Sequence, residues 1–448
     1  MLFTSMRAMF HVDMISVIMV SLVSFIAIAV CFFSRSYMKG DVLYRRFFLN
    51  IWILLISVIL ISIADNLVLF LSAWCCCNLM LVQLMVHKSS WKAAKASGRL
   101  AISNFTLGFC LMLAAFAILY QISGSLSIQY ILQHANDAGD HAGYLIALAL
   151  CLLLLATMTQ SAIWPFHRWL ISSLNSPTPV SALMHAGIVN GGGFLLARFS
   201  PLYFSAPQIL NIIFIVGLIS ALLGSLWKLM QPDVKRMLAC STMGQMGFML
   251  VQFGLGFFAS GLAHLFWHGI FKAYLFLASG SAAQEKRLDL GYPPSWLAFF
   301  FSLGCGAVGA YVFSLIHHKN GLALDTTLVI VAVVFMTGTQ FALTLLKRGR
   351  GLVIKNLPLA LILTSGMAVI YAANVCFFDW ILSPLELMQA QPLTLFHVIG
   401  LILFACSWLF ILFFRQANKY MQFYVKALNS SQPDPDTVTT YRKGYDYV

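Results

Sequence analysis

Apolar segments of about 20 residues recur from one end of the chain to the other, parted by short polar loops. That repeat admits few folds. In lipid every backbone N–H and C=O must be satisfied internally, so segments of this length span as α-helices. Of the 448 residues, 60% are hydrophobic and 9% charged, with a mean hydropathy of +0.87. No water-soluble core absorbs that much apolar surface with so little charge. The expected fold class is an all-α polytopic membrane protein with about 13 transmembrane helices.

Those spans are expected near 12–33, 47–63, 66–86, 100–120, 143–173, 180–198, 208–228, 236–254, 260–280, 296–316, 326–346, 356–378 and 393–414. The first is of full span length and a basic loop follows it, so it reads as a span and not as a cleaved signal. Lys and Arg gather in alternate loops: 34–46, 87–99, 228–236, 285–287, 347–355 and the tail after Arg415. The loops between them hold isolated positive charges, Lys319 the clearest, and include 121–142, with Asp137 and Asp140, and 379–392. The positive-inside rule then places the N-terminus outside and the C-terminus in the cytoplasm. The alternation keeps its phase only if 143–173 crosses once, as a single discontinuous helix. The net charge of +13 sits in these loops and not on a basic face with interleaved aromatics, which argues against nucleic acid as a partner.

One stretch departs from the pattern: residues 160–198, QSAIWPFHRWLISSLNSPTPVSALMHAGIVNGGGFLLAR. It carries Pro165, Pro177 and Pro179, the ionisable His167, Arg168 and His185, and the run Gly191 to Gly193. Proline interrupts the helical ladder, and a bilayer tolerates that only where protein or a wet cavity re-satisfies the freed groups. A broken helix beside intramembrane histidines is therefore a transport-site candidate. His185 is expected near the break. His167 and Arg168 either line the same cavity or serve as a cap and an interfacial anchor among Trp164 and Trp169. The three glycines read as close helix packing, since no Gly-Lys-Ser/Thr follows them.

The span GLAHLFWHGIFKAYLFLASGS places His264, His268 and Lys272 four residues apart. They lie along one slowly drifting helix face over about 12 Å. In water such histidines are usually satisfied core residues, but in a bilayer buried ionisable groups tend to face a wet interior path. Imidazole, imidazole and ammonium in a ladder suit proton hand-over, because histidine exchanges protons near neutral pH. Zinc is the competing reading, with two histidines at i and i+4, but no Glu lies between them and no third ligand is near. Ten cysteines show no metal spacing, and Cys75, Cys76 and Cys77 point about 100° apart on a helix. In Gln231-Pro232-Asp233-Val234-Lys235-Arg236, Asp233 is a cap and Lys235 either points inward or anchors at the interface.

No nucleotide fingerprint, nucleophile elbow, heme or iron–sulfur set appears, so a transporter subunit is expected and not an enzyme, with no cofactor or metal in this chain. The expected divisions are an N-terminal helix and basic loop (1–46), two repeats (47–198 and 208–346), C-terminal helices (356–414) and a polar tail (415–448). The tail is either disordered or a partner-docking segment.

Three ordered stretches resemble the antiporter-like membrane subunits shared by respiratory complex I and Mrp cation/proton antiporters. They are SAIWPFHRWL…SPTPVSALMHAG…GGGFLLARFSPL, then LISALLGSLWKLMQPDVKRMLACSTMGQMGF, then LAHLFWHGIFKAYLFLASGS, and together they cover at least residues 65–285. The resemblance implies two inverted five-helix repeats, each with a discontinuous helix, in a bacterial inner membrane. It implies also that His185, His264, His268 and Lys272 match the family's polar axis. The candidate ion path is thus His185, His264, His268, Lys272 and Lys235, with Asp65, His167, Arg168 and Asp233 accessory.

Two departures stand out. The family usually has a glutamate after the Trp at the place of Trp74-Cys75, and a lysine at the place of Gln160 before Ser161-Ala162. The Lys/Glu pair associated with proton movement in the first repeat is missing, with Asp65 or His167 as the possible substitutes. One branch fits best. HAGIVNGGGFLLARFSPL, the shorter chain and the ending YVKALNSSQPDPDTVTTYR resemble the DabB membrane subunits of DAB inorganic-carbon accumulating complexes. That resemblance implies a DabA-like cytoplasmic zinc partner that hydrates CO2 to bicarbonate, while this chain conducts H+ or Na+. Against such relatives the chain is expected to lack a helix or more at its N-terminus. The alternatives are an H+/Na+-translocating subunit of a complex I-type or Mrp-type assembly and a non-conducting scaffold for a cytoplasmic enzyme.

Overall fold

The computed structural model describes residues 9–134, 140–280, 294–317, 325–346, 350–414 and 421–438. Asp137, the loop at 285–287, Lys319, residues 347–349 and the tail segments 415–420 and 439–448 lie outside the described residues.

Helices form wherever an apolar segment of span length occurs. In order they are α1 (Met14–Tyr37), α2 (Tyr44–Ile63), α3 (Leu67–Met85), α4 (Lys92–Ser123), the short α5 (Ile128–His134), α6 (Asp140–Gln160) and α7 (Arg168–Ile171). The next is α8 (Thr178–Arg198), built from three helical pieces. Then come α9 (Pro207–Met230), α10 (Val234–Gly254), α11 (Phe258–Leu277), α12 (Trp296–His317), α13 (Thr327–Leu346), α14 (Arg350–Leu382), α15 (Leu395–Phe414) and α16 (Met421–Ser430). Among the described residues there is no strand, only isolated bridges.

Among the described residues eleven helices are long and apolar enough to cross a membrane, so the expected total of about 13 is not confirmed by that measure. The two long helices outside the eleven are α10 and α11. They carry Lys235 and Arg236, and His264, His268 and Lys272, whose polarity lowers their hydropathy. The helices richest in candidate chemistry are the ones a hydropathy sum undercounts.

Helix starts are set by local chemistry. Asp13 opens α1 with a capping box, its carboxylate accepting from Ser16 N at 2.9 Å. Asn66 opens α3, its Oδ1 accepting from Val68 N and Leu69 N at 2.9 and 3.2 Å. Gly124 ends α4 in the left-handed region at φ 67°, where a side chain is disfavoured.

The chain forms two compact units. Unit 1 comprises Met1–Val251, His264–Ala283 and Lys426–Val448; unit 2 comprises Gln252–Ala263 and Gln284–Val425. In unit 1 the α8 segment is 94% buried, the most enclosed of the eleven spans. Helices α9 and α10 cross at backbone contact: a Cβ on Gly247 would stand 2.5 Å from Ala221 N, and one on Gly224 2.4 Å from Gly244 N. Small residues permit that approach, as in other membrane helix pairs. In unit 2, α12 to α15 pack through Phe299, Leu343, Leu346, Val353 and Leu412, and Trp408 Nε1 donates to Gln340 Oε1 at 3.0 Å.

The disordered reading of the tail is revised over residues 421–438, which fold as α16 and a 3₁₀ turn at Pro435–Thr437.

Candidate functional site

The break in the discontinuous helix falls where Pro165 places it. α6 ends at Gln160, residues 161–167 form turns with Ala162 at φ 53°, and α7 resumes at Arg168. Freed backbone groups are met from three directions. Thr159 O accepts from Asn104 Nδ2 at 2.9 Å and from Trp169 Nε1 at 3.0 Å, while Trp164 N donates to Ser220 Oγ at 3.2 Å. That is how an interrupted helix survives in lipid. Pro177 and Pro179 act differently from Pro165: they open α8, where a proline costs no hydrogen bond.

α8 then loosens into a π turn over Met184–Ile188, and His185 lies inside it. Such turns recur at functional sites because the wider turn frees backbone groups for outside partners. Two of those partners come from the break itself. Ser161 Oγ donates to Val189 O at 2.7 Å and Gln160 Nε2 to Ile188 O at 3.4 Å. Gly192 makes the approach possible: a Cβ there would stand 2.3 Å from Ser161 Oγ. The glycine run is close packing, as its sequence suggests.

His185 is 1% exposed, stacks on Phe276 with ring centroids 4.3 Å apart, and has Nδ1 3.2 Å from Thr242 Oγ1. The Thr242 hydroxyl donates to Leu238 O at 2.9 Å, so Nδ1 is the donor to Thr242 and Nε2 is left as the acceptor. Leu238 O also receives Lys272 Nζ at 3.1 Å. One carbonyl and one hydroxyl thus tie the α8 histidine to the α11 lysine. Lys272 is 1% exposed. One turn away His268 is 7% exposed with neither ring nitrogen hydrogen-bonded, and its ring centroid lies 6.0 Å from that of His264. His185 and Lys235 line one tight gap together with Ser173, Leu174, Ser181, Ala239 and Phe276, too narrow for a water molecule. Lys235 points inward, Nζ lying 3.4 Å from Ser176 O.

The structure therefore brings the buried His185, Lys272 and His268 and the half-buried His264 and Lys235 into one series. The accessory residues are not all part of it. His167 is buried, tilted against Trp227 at 4.8 Å, and Arg168 is exposed. Asp233 caps α10, accepting from Arg236 N at 2.9 Å. Asp65 is a structural hub near the start of α5: it accepts from Ser127 Oγ at 2.7 Å and Gln129 N at 2.8 Å.

At the place of the missing lysine stands the neutral amide Gln160, and at that of the glutamate the half-buried Cys75. Gln160 Nε2 donates to Asn78 Oδ1 at 3.1 Å, beside a cavity of ≈ 20 Å³ walled by Met19, Trp74, Cys77, Ile188 and Phe194. That volume holds about one water. Sequence reasoning missed Asn78, Thr242 and the Asp13–Arg198 ion pair, in which Arg198 also donates to Ser16 Oγ and Ser62 O at 2.9 and 2.8 Å. Only the Arg at the end of an apolar helix was a signal for the last of these.

A family model described as NADH:quinone oxidoreductase/Mrp antiporter, TM, matches residues 64–290. A second, described as NADH-ubiquinone oxidoreductase (complex I), chain 5 N-terminus, matches residues 4–48. The chain is 38% identical over 296 residues to the probable inorganic carbon transporter subunit DabB1 of Halothiobacillus neapolitanus, covering 65% of this chain and 52% of that protein. It is 37% identical over 281 residues to the corresponding DabB of Bacillus anthracis, covering 62% and 54%. It is also 36% identical over 290 residues to chloroplastic NAD(P)H-quinone oxidoreductase subunit 5 of Brachypodium distachyon, covering 63% and 39%. The chain spans about half the length of the DabB relatives it matches. Among solved structures it is similar in fold to a chain of the Mrp complex from Dietzia, with a TM-score of 0.57 and 20% identity over 94% of this chain and 45% of that one.

Proposed function

The chain belongs to the NADH:quinone oxidoreductase/Mrp antiporter transmembrane family, and we propose that it is the ion-conducting membrane subunit of an energy-coupled inorganic-carbon accumulation complex. It carries H+ or Na+ along His264, His268, Lys272, His185 and Lys235, and a DabA-like cytoplasmic zinc protein performs CO2 hydration. The observation that carries this reading is the Lys272–Leu238 O–Thr242–His185 connection, a buried ammonium and imidazole joined through a hydroxyl and a carbonyl. Buried ionisable groups inside a bilayer are costly, and their usual reason for being there is an ion or proton route. The two DabB relatives supply the carbon assignment.

The path runs through the second repeat (208–346) and the α8 histidine, with the first repeat (47–198) ending in the neutral Asn78–Gln160 pair. An Asn78→Leu variant is expected to keep ion flux in proteoliposomes, and loss of flux would place a second path at that pair. The loop charges support an N-terminus outside and a C-terminus in the cytoplasm, and the bacterial DabB relatives support a bacterial inner membrane.

The match to quinone oxidoreductase subunit 5 favours a second reading, an H+- or Na+-translocating subunit of a complex I-type or Mrp-type assembly. Radiolabelled bicarbonate/CO2 uptake in carbonic-anhydrase-deficient bacteria separates the two. Cells expressing this chain with its neighbouring zinc-protein gene are expected to take up label only when both genes are present, and to lose uptake with an uncoupler. Absence of uptake with both proteins in the membrane would favour the second reading.

A further inference from the structure

The last described residues fold back onto unit 1 and cross three elements at the end of the broken helix. Trp227 Nε1, in the last turn of α9, donates to Ser430 Oγ at 3.1 Å, and Gln231 Nε2 donates to Ser431 Oγ at 2.7 Å. Arg236 Nη1, in the first turn of α10, donates to Gln432 Oε1 at 3.4 Å. Beyond α7, Ser172 Oγ accepts from Asp434 N at 3.3 Å and Asn175 Nδ2 donates to Thr437 O at 2.6 Å. Ser431 and Thr437 are 0% and 2% exposed. Asp434 also shapes the segment itself by accepting from Asp436 N at 3.1 Å. These bonds join residues 196 to 262 positions apart, which a solvated arm does not do.

What the segment spans is the mouth of the series. Ser176 follows the 172–175 anchor, is 3% exposed, and its carbonyl receives Lys235 Nζ; Lys235 lies between Gln231 and Arg236 on the other anchor. The tight gap that Lys235 lines is also lined by His185. We propose that residues 430–437 are a built-in clamp that holds the 172–176 turn against the 231–236 loop, so that Ser176 and the way from the half-buried Lys235 to His185 open to water only when the clamp is released. The proposal rests on the ion-path reading, and it makes the tail a control element of this chain and not simply an arm for a partner.

The test uses the assembled complex in proteoliposomes, with Gln231→Cys and Ser431→Cys introduced together and each alone as a control. Oxidation is expected to form the 231–431 disulfide and to reduce ion flux to the background of protein-free liposomes, with recovery on adding dithiothreitol. Cross-linked protein that conducts as fast as reduced protein, or a pair that does not cross-link, overturns the clamp. A second readout does not depend on flux. Ser176→Cys is expected to resist a membrane-impermeant maleimide in the full chain and to react when Asn175→Ala and Gln231→Ala release the segment. Equal labelling in the two backgrounds overturns the clamp even where reduced protein conducts nothing, whereas absent flux with the expected labelling counts against the ion path alone.

Discussion

Thr242 shows how much one neutral side chain can decide. Its hydroxyl faces His185 on α8 and shares Leu238 O with Lys272 on α11, so it favours the His185 tautomer that donates from Nδ1 and links the two side chains through one carbonyl. Among the described residues no carboxylate pairs with Lys272. An ammonium kept at 1% exposure on a carbonyl is hard to explain by stability. Thr242→Val keeps the shape and removes the hydroxyl, leaving a buried ring nitrogen unpaired at a cost of about 1–3 kcal/mol. Flux is expected to fall by about tenfold and its pH profile to shift, and Thr242→Ser to restore both. An unchanged pH profile in the valine variant would reduce Thr242 to packing.

At the scale of elements, α8 is the part to which others are fastened. Its start is set by Pro177 and Pro179, its middle opens as a π turn held by Gln160 and Ser161, and its end is pinned by Arg198 to Asp13, Ser16 and Ser62 on α1 and α2. Removing one partner of a buried ion pair strands the other, at a cost of about 3–5 kcal/mol. Arg198→Met is therefore expected to lower the melting temperature of the purified protein clearly while leaving His185 chemistry in place. No change in melting would show that packing alone holds the end of α8. The spans themselves are legible from sequence because a membrane helix satisfies its own backbone, so length and hydropathy suffice. The π turn is not legible, because its cause lies in the Gln160 and Ser161 side chains on another segment. Asp65 misleads for a related reason: a carboxylate between two spans looks like a charge in a path, and only the fold shows it capping residues 127–129.

Across the whole molecule, the ionisable ladder of α11 is readable from its four-residue spacing, because helix geometry alone places those residues on one face. What meets the ladder is not readable. Lys235, Thr242 and the 430–437 segment arrive from distant parts of the chain, and no local period announces them. The family assignment follows from the matched region 64–290, which contains the break, His185, Lys235 and the ladder together. Function at this scale depends on that series conducting.

The most direct test is ion flux in proteoliposomes containing the assembled complex, comparing the unaltered chain with Lys272→Met, with co-purification of the zinc partner measured in parallel. The account predicts that Lys272→Met abolishes H+ or Na+ flux while the partner is retained. Undiminished flux in that variant would contradict a path through Lys272.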